Sequence, residues 1–216
     1  HDEEVHGVAS WGSGNCGLEY LRGCNPRKQP TCGVDAVSGP ACDGDVCAYS
    51  FVFATIQPHE ADVTMVVPRE FSVGALQCRW QAMPAGAHSQ VLASAWLRDV
   101  AGDAAAEGLH RDARGRPRLA CGDAGWSHSH GRLLIAYTGH GRLGVDIEPL
   151  ARSADPLRIA RRYFAGEEVA ALDALDGVAR QSAFLRLWCA KEAVLKAHGG
   201  GIAFGLHKAV FDATGD

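Results

Sequence analysis

Residues 133–148 read LLIAYTGHGRLGVDIE. LLIAYT and LGVDIE are both strand-like runs, and the Gly139-His140-Gly141 break between them predicts a β-hairpin. The alternation of a strand sends Val145 and Ile147 into the core and leaves Asp146 and Glu148 together on the other face. Carboxylates so placed repel, and a hard divalent cation is the usual remedy; Mg²⁺ commonly takes one or two carboxylates and leaves room for phosphate oxygens. The same pair also suits a solvated strand edge, the commoner setting for charge.

Toward the C terminus, Asp155-Pro156 has the form of an N-cap followed by proline at the first helical position, opening LRIARRYF. A second helix is expected from about Gly166. A longer one runs from Ala179 to His198 and stops at Gly199-Gly200-Gly201. In it Phe184, Leu187, Trp188, Val194 and Leu195 define an apolar sector, and Lys191 falls inside that sector. Glu192 and Lys196 stand at i and i+4 on its flank, able to reach one common site or simply to form a helix pair worth roughly 0.2–0.5 kcal/mol. HKAVFDA, residues 207–213, reads as a last strand.

Toward the N terminus, Arg114, Arg116 and Arg118 surround a Gly115-Pro117 turn, with Ser127-His128 a short way on. Guanidinium forks beside short donors suit a phosphate rim, and they equally suit a solvated charge run. His128, His130 and His140 lack a partner acid at a zinc-site spacing. Residues 88–100 predict a helix with Val91, Leu92, Ala95, Trp96 and Val100 on its buried face. VCAYSFVFATI (46–56) and VTMVV (63–67) read as strands. Residues 1–43 are rich in Gly, Pro, Asp and Asn without a sustained period, which predicts a loosely ordered extension.

With strands and helices interspersed, the class is α+β. The chain has 216 residues, 47% hydrophobic and 21% charged, enough for a real core in one domain or two small joined ones. A net charge of −4 gives no global basic field for nucleic acid, and no apolar run approaches the roughly 18 residues that span a bilayer. Eight cysteines are present; none pair at C-x-x-C spacing, and a chain with this much core points to ordinary thiols. Nothing near its first residues reads as an export signal, so a cytoplasmic location is expected.

In order and spacing, GRP, WSHS, GVDIE, RYFAGEE and LWCAKEAVLKAHGGGI resemble the 4′-phosphopantetheinyl transferases, in particular the larger pseudo-dimeric Sfp-type enzymes. The resemblance covers about residues 88–205, with 46 positions from Asp146 to Glu192. It implies transfer of the 4′-phosphopantetheine arm of coenzyme A to a serine of an acidic acyl or peptidyl carrier protein, releasing 3′,5′-ADP. By family matching, Asp146, Glu148 and Glu192 would be Mg²⁺ ligands, Glu192 would also take the serine proton directly or through a water, and Lys196 would stabilise or protonate the leaving phosphate. Arg116, Ser127 and His128, with Lys196, would hold coenzyme A; Lys191 matches a family lysine with no task assigned. The fold implied is two similar α+β halves, here 44–125 and 126–216, with residues 1–43 outside them. The family's larger members continue well past the lysine helix, and 15 residues follow Gly201 here, so either the second half is short or the chain is incomplete. A carrier-binding pseudoenzyme and a Mg²⁺-dependent nucleotide phosphohydrolase are the rival readings.

Overall fold

A computed structural model of the chain describes residues 5–11, 16–23, 49–56, 68–73, 75–149, 155–201 and 205–211. Two four-stranded sheets lie face to face. The first contains β1 (Val5–Trp11), β2 (Cys16–Gly23), β3 (Tyr49–Ile56) and β10 (Arg142–Pro149), in that order. The second runs β4 (Arg69–Val73), β5 (Leu76–Ala82), β9 (Arg132–Thr138) and β8 (Asp123–Ser129). All pairings are antiparallel except β3 with β10, which are parallel, with Asp146 opposite Phe53. Two-residue strands β6 (His110–Arg111) and β7 (Pro117–Arg118) close a separate small hairpin.

Alternation assigns each strand face to a layer. Val52, Leu143, Val145 and Ile147 of the first sheet meet Leu76, Cys78, Trp80, Leu134 and Ala136 of the second in one dry core. The opposite face of the second sheet, through Ala124, Leu133 and Ile135, takes Ala93, Trp96 and Leu97 of α1 (Ser89–Ala101). On the outer face of the first sheet, Phe53 packs on Cys189, Ala190, Ala193 and Ala197 of α5 (Gly177–His198). The order of layers is helix, sheet, sheet, helix. A short α2 (Asp103–Glu107) follows α1, and α3 (Pro156–Tyr163) and α4 (Gly166–Asp173) pack beside α5.

The α+β class and the helices beyond residue 155 form as the sequence predicts: Asp155 caps α3, accepting from the backbone of Leu157 and Arg158 at 3.1 and 3.2 Å, with Pro156 at the first turn. Gly199, at φ 74°, ends α5 in the left-handed conformation.

The 139–141 hairpin does not form. β9 is buried on both faces, as its unbroken apolar run allows, and both its edges are already bonded to β5 and β8. The glycine turn therefore carries the chain across to the other sheet, where β10 pairs with β3. β9's hairpin partner is β8, through His130 and Gly131 at φ 46° and 71°, the two positive values that a tight primed turn requires. Ser127 and His128 thus sit on a strand.

Three other expectations are corrected. The buried face of α1 is rotated: Val91 is 65% exposed and Ala95 is exposed, while Ala93 and Leu97 flank Trp96, whose indole N–H donates to Glu70 Oε1 at 3.1 Å. Residues 206–208 form a 3₁₀ turn where a strand was expected. Within the opening stretch read as loosely ordered, β1 and β2 form strands; each alternating run is too short and glycine-broken to stand out as a period. VTMVV lies outside the described residues, and Cys78, Cys121 and Cys189 form no disulfide among the described residues.

Candidate functional site

The site forms where α5 crosses β10. Gly144, Asp146 and Glu148 share the face that α5 covers, and at Gly144 the helix backbone touches the strand: a Cβ there would sit 1.8 Å from the Ala193 carbonyl oxygen. Glycine below and alanines above therefore permit an approach that larger residues would block. That approach lays the polar flank of α5 onto the acids. Lys196 Nζ lies 2.5 Å from Asp146 Oδ1 and 3.1 Å from Ser127 Oγ, and Ser127 Oγ donates to the same Oδ1 at 3.2 Å. Eight residues back along the helix, Trp188 Nε1 donates to Glu148 Oε1 at 3.2 Å. Cys189 lies between; burial first, then the charges of Asp146 and Glu148, push its thiol well above the ordinary value.

Beside this row opens a cleft of about 360 Å³, whose lining includes Arg111, Arg114, Arg116, Trp126, Glu192 and Lys196. The basic turn forms one wall. Asp112 organises it, accepting from the backbone N–H of Arg114 and Arg116 at 2.9 and 3.0 Å and from Arg118 Nε at 3.0 Å. Those bonds, the one from Arg116 foremost, hold the Asp112 carboxyl below its usual range. Arg114 and Arg116 in turn donate to Gly199 O and Lys196 O at 3.0 and 3.1 Å, so cationic forks meet the carbonyls at the negative end of α5.

Of the residues singled out from the sequence, Ser127, Asp146 and Lys196 come together as one bonded group, Glu148 lies two residues along the same strand face bonded to Trp188, and Glu192 lines the adjoining cleft. Arg116 is in the wall but only 7% exposed, ion-paired with buried Asp123 and donating to Leu143 O at 3.2 Å. His128 is exposed and outside the cleft lining, and strand alternation places it on the face of β8 opposite to that of Ser127. Arg118 is spent on Asp112. Sequence reasoning missed Arg111, whose guanidinium lies 5.2 Å over the Trp126 ring at the cleft, and Asp123. The start of β8 at Asp123, a strand the sequence reading passed over, was the available signal.

Lys191 has a structural task. Fully buried, it pairs with Glu168 at 2.7 Å and donates to the carbonyls of Leu206 and Ala209, between the rings of Phe164 and Phe211. Burial lowers its affinity for a proton and Glu168 opposes that shift.

Among the described residues no three His, Cys, Asp or Glu side chains converge tightly enough to hold a metal alone. The donors present nonetheless fit Mg²⁺. Asp146 Oδ2 is buried without a hydrogen-bond partner, and this cation needs only one or two carboxylates beside water and phosphate oxygens.

Residues 142–216 match the family described as the 4′-phosphopantetheinyl transferase superfamily. The resemblance read from the sequence thus holds at the level of the superfamily for this segment. Similar curated proteins include slr0495 of Synechocystis sp., named for the same transferase family, at 41% identity over 40% of this chain and 35% of that protein. 4′-Phosphopantetheinyl transferase HetI of Nostoc sp. is 39% identical over 36% of this chain and 32% of its own length. 4′-Phosphopantetheinyl transferase AcpT of Salmonella typhi is 30% identical over 40% of this chain and 47% of its own. The chain thus spans a third to a half of the curated relatives it matches. No helix among the described residues is long and apolar enough to cross a membrane.

Proposed function

We propose that the chain transfers the 4′-phosphopantetheine arm of coenzyme A to a serine of an acyl or peptidyl carrier protein, releasing 3′,5′-ADP. The observation that carries this reading is the row of Ser127, Lys196 and Asp146, continued by Glu148, at the edge of a cleft walled by arginines and containing Glu192. In this reading the serine oxygen attacks the β-phosphorus of the pyrophosphate, and the bond from that phosphorus to the bridging oxygen of 3′,5′-ADP breaks. Glu192 accepts the serine proton, directly or through a water. Lys196, 42% exposed and one helical turn further on, neutralises the departing phosphate. Asp146, Glu148 and Glu192 would hold Mg²⁺, which supplies charge neutralisation on the pyrophosphate. Arg116, Ser127 and His128 are assigned to the nucleotide end of coenzyme A.

The layered fold supports a two-half organisation, with α1 on one sheet and α5 on the other. The boundary expected at residue 125 falls within β8. A monomer acting on an acidic carrier in the cytoplasm completes the reading. Incubating a carrier protein with the chain, coenzyme A and Mg²⁺ and weighing the carrier by mass spectrometry tests it. A gain of one phosphopantetheine arm is expected; an unchanged carrier that still binds would make the chain a binding module instead.

A further inference from the structure

Trp188 stands at the crossing of two groups of residues. On one side its indole N–H donates to Glu148 Oε1 at 3.2 Å. On the other its ring stacks on Phe164, with centroids 6.4 Å apart, and packs against Phe184 at 6.1 Å. The Phe164 ring also receives Lys191, whose Nζ lies 4.7 Å from its centroid.

Lys191 belongs to a closed buried network. Its ammonium pairs with Glu168 at 2.7 Å and holds two carbonyls of the segment 206–209. Glu168 accepts from the backbone N–H of Ala165 and of Phe211, at 2.9 and 3.0 Å. Both charged side chains are 0% exposed. A buried pair of this kind adds little net stability but tolerates few arrangements, because removing one member strands the other charge. Helix α4, helix α5 and the segment after it are thereby fixed against one another at Phe164, the ring on which Trp188 rests.

We propose that Trp188 is a positioning residue for Glu148: its indole N–H sets the orientation of that carboxylate, and the Lys191–Glu168 clasp, through Phe164, sets Trp188. A carboxylate two residues from Asp146 on the same strand face has freedom to turn toward solvent. The indole donor holds one of its oxygens and so limits how the carboxylate can turn. Supporting groups of this type are worth about 10- to 100-fold in metal affinity. This deepens the transferase reading by explaining how Glu148 is held, and it rests on Glu148 being a metal ligand.

Mn²⁺ binding to the full chain, followed by the electron paramagnetic resonance signal of free Mn²⁺, tests the proposal without turnover. Trp188→Phe keeps the stacked ring and loses the donor; its Mn²⁺ dissociation constant should rise about tenfold with the melting temperature little changed. The double variant Lys191→Met/Glu168→Met removes both charges together and should fold, with Mn²⁺ binding weakened in the same direction. In the wild-type chain, the Trp188 indole N–H resonance should shift on titration with Mg²⁺, a readout that needs no variant to fold. Wild-type Mn²⁺ affinity in Trp188→Phe, an indole resonance indifferent to Mg²⁺, or a wild-type chain that binds no Mn²⁺ would overturn the assignment. Unchanged affinity in a folded double variant would overturn the role of the clasp. Carrier modification is scored separately. Transfer by wild type with Mn²⁺ binding indifferent to Trp188 sinks this inference alone, and Trp188-dependent Mn²⁺ binding without transfer sinks the transferase reading alone.

Discussion

Gly144 lies directly beneath Ala193, so closely that a single methyl group on the strand would come within 1.8 Å of the helix carbonyl oxygen. Gly144→Ala must therefore push α5 away from β10 or buckle the strand. A loss of about 3 kcal/mol, the upper part of the usual range for overpacking, is expected in chemical denaturation. Lys196 and Trp188 would lose register with Asp146 and Glu148, so any transfer should fall in the folded fraction too. A variant of wild-type stability would mean that the helix does not rest on this glycine.

Glu192→Gln keeps the shape of a side chain that lines the cleft while removing its basicity and its charge. Transfer should fall about 10²- to 10⁴-fold in kcat, the range for loss of a general base, with coenzyme A affinity nearly unchanged. Single-turnover carrier modification together with calorimetry of coenzyme A binding separates the two effects; near-normal turnover would remove Glu192 from the chemistry.

Arg116→Ala and His128→Ala should both raise KM for coenzyme A more than for 3′-dephospho-coenzyme A, if both hold the nucleotide end. Their stabilities should diverge. Arg116 is the cation for Asp123, buried with it, so its loss strands a carboxylate at a cost of about 3–5 kcal/mol. His128 is exposed, and its removal should stay within about 0.5 kcal/mol. Thermal melts beside the two KM values read this out; equal effects on the two substrates would take the 3′-phosphate out of the argument.

Asp112 gives the basic turn a pH limit. Backbone donors, Arg116 first, hold its carboxyl below the ordinary value of 3.8. A depressed carboxylate contributes stability above the unfolded value and loses it as the pH falls through the lower, folded one. The stability gap between the wild type and Asp112→Asn should accordingly be constant near neutrality and close only in acid, below about pH 4. Parallel melting curves at every pH would show that the turn does not depend on this charge.

Arg158, Arg161 and Arg162 are exposed on α3; Arg161 pairs with Asp173 at 3.4 Å, and the Arg162 guanidinium lies 5.2 Å over the Tyr163 ring. Against a net charge of −4, a local cationic stripe of this kind would be needed to orient an acidic carrier. Reversing Arg158 and Arg162 to Glu should lower kcat/KM for the carrier about tenfold at low salt, with the loss shrinking as screening shortens toward about 3 Å in 1 M salt. Coenzyme A parameters should hold. Unchanged carrier kinetics at low ionic strength would leave the stripe a solvated face.

Local signals carried the reading where one element sufficed. The caps of α3 and α5, the buried side of β10 and the odd place of Lys191 were all legible as period or as punctuation. What the sequence withheld was pairing. Gly139 and Gly141 announce a turn, yet whether β9 hands the chain back to itself or across to β3 depends on edges already taken by β5 and β8. The role of Lys191 was hidden for the same reason, since Glu168 and the carbonyls at 206 and 209 reach it only in three dimensions. Arg116 stands out in the sequence through its basic run and the family match, and nothing local reveals its pairing with Asp123.

The parallel pairing of β3 with β10 joins Tyr49 to Arg142, far apart in the chain, while the segment matched to the transferase superfamily begins at residue 142. A fragment cut at that point would bear Asp146, Glu148, Glu192 and Lys196, yet its leading strand would have neither its ladder partner nor the opposing sheet over Leu143, Val145 and Ile147. Expressed alone it would present a bare apolar edge, the kind that recruits other chains and aggregates. Recognition and autonomous folding therefore have different boundaries here: the segment by which such proteins are known cannot be transplanted without the strands that precede it.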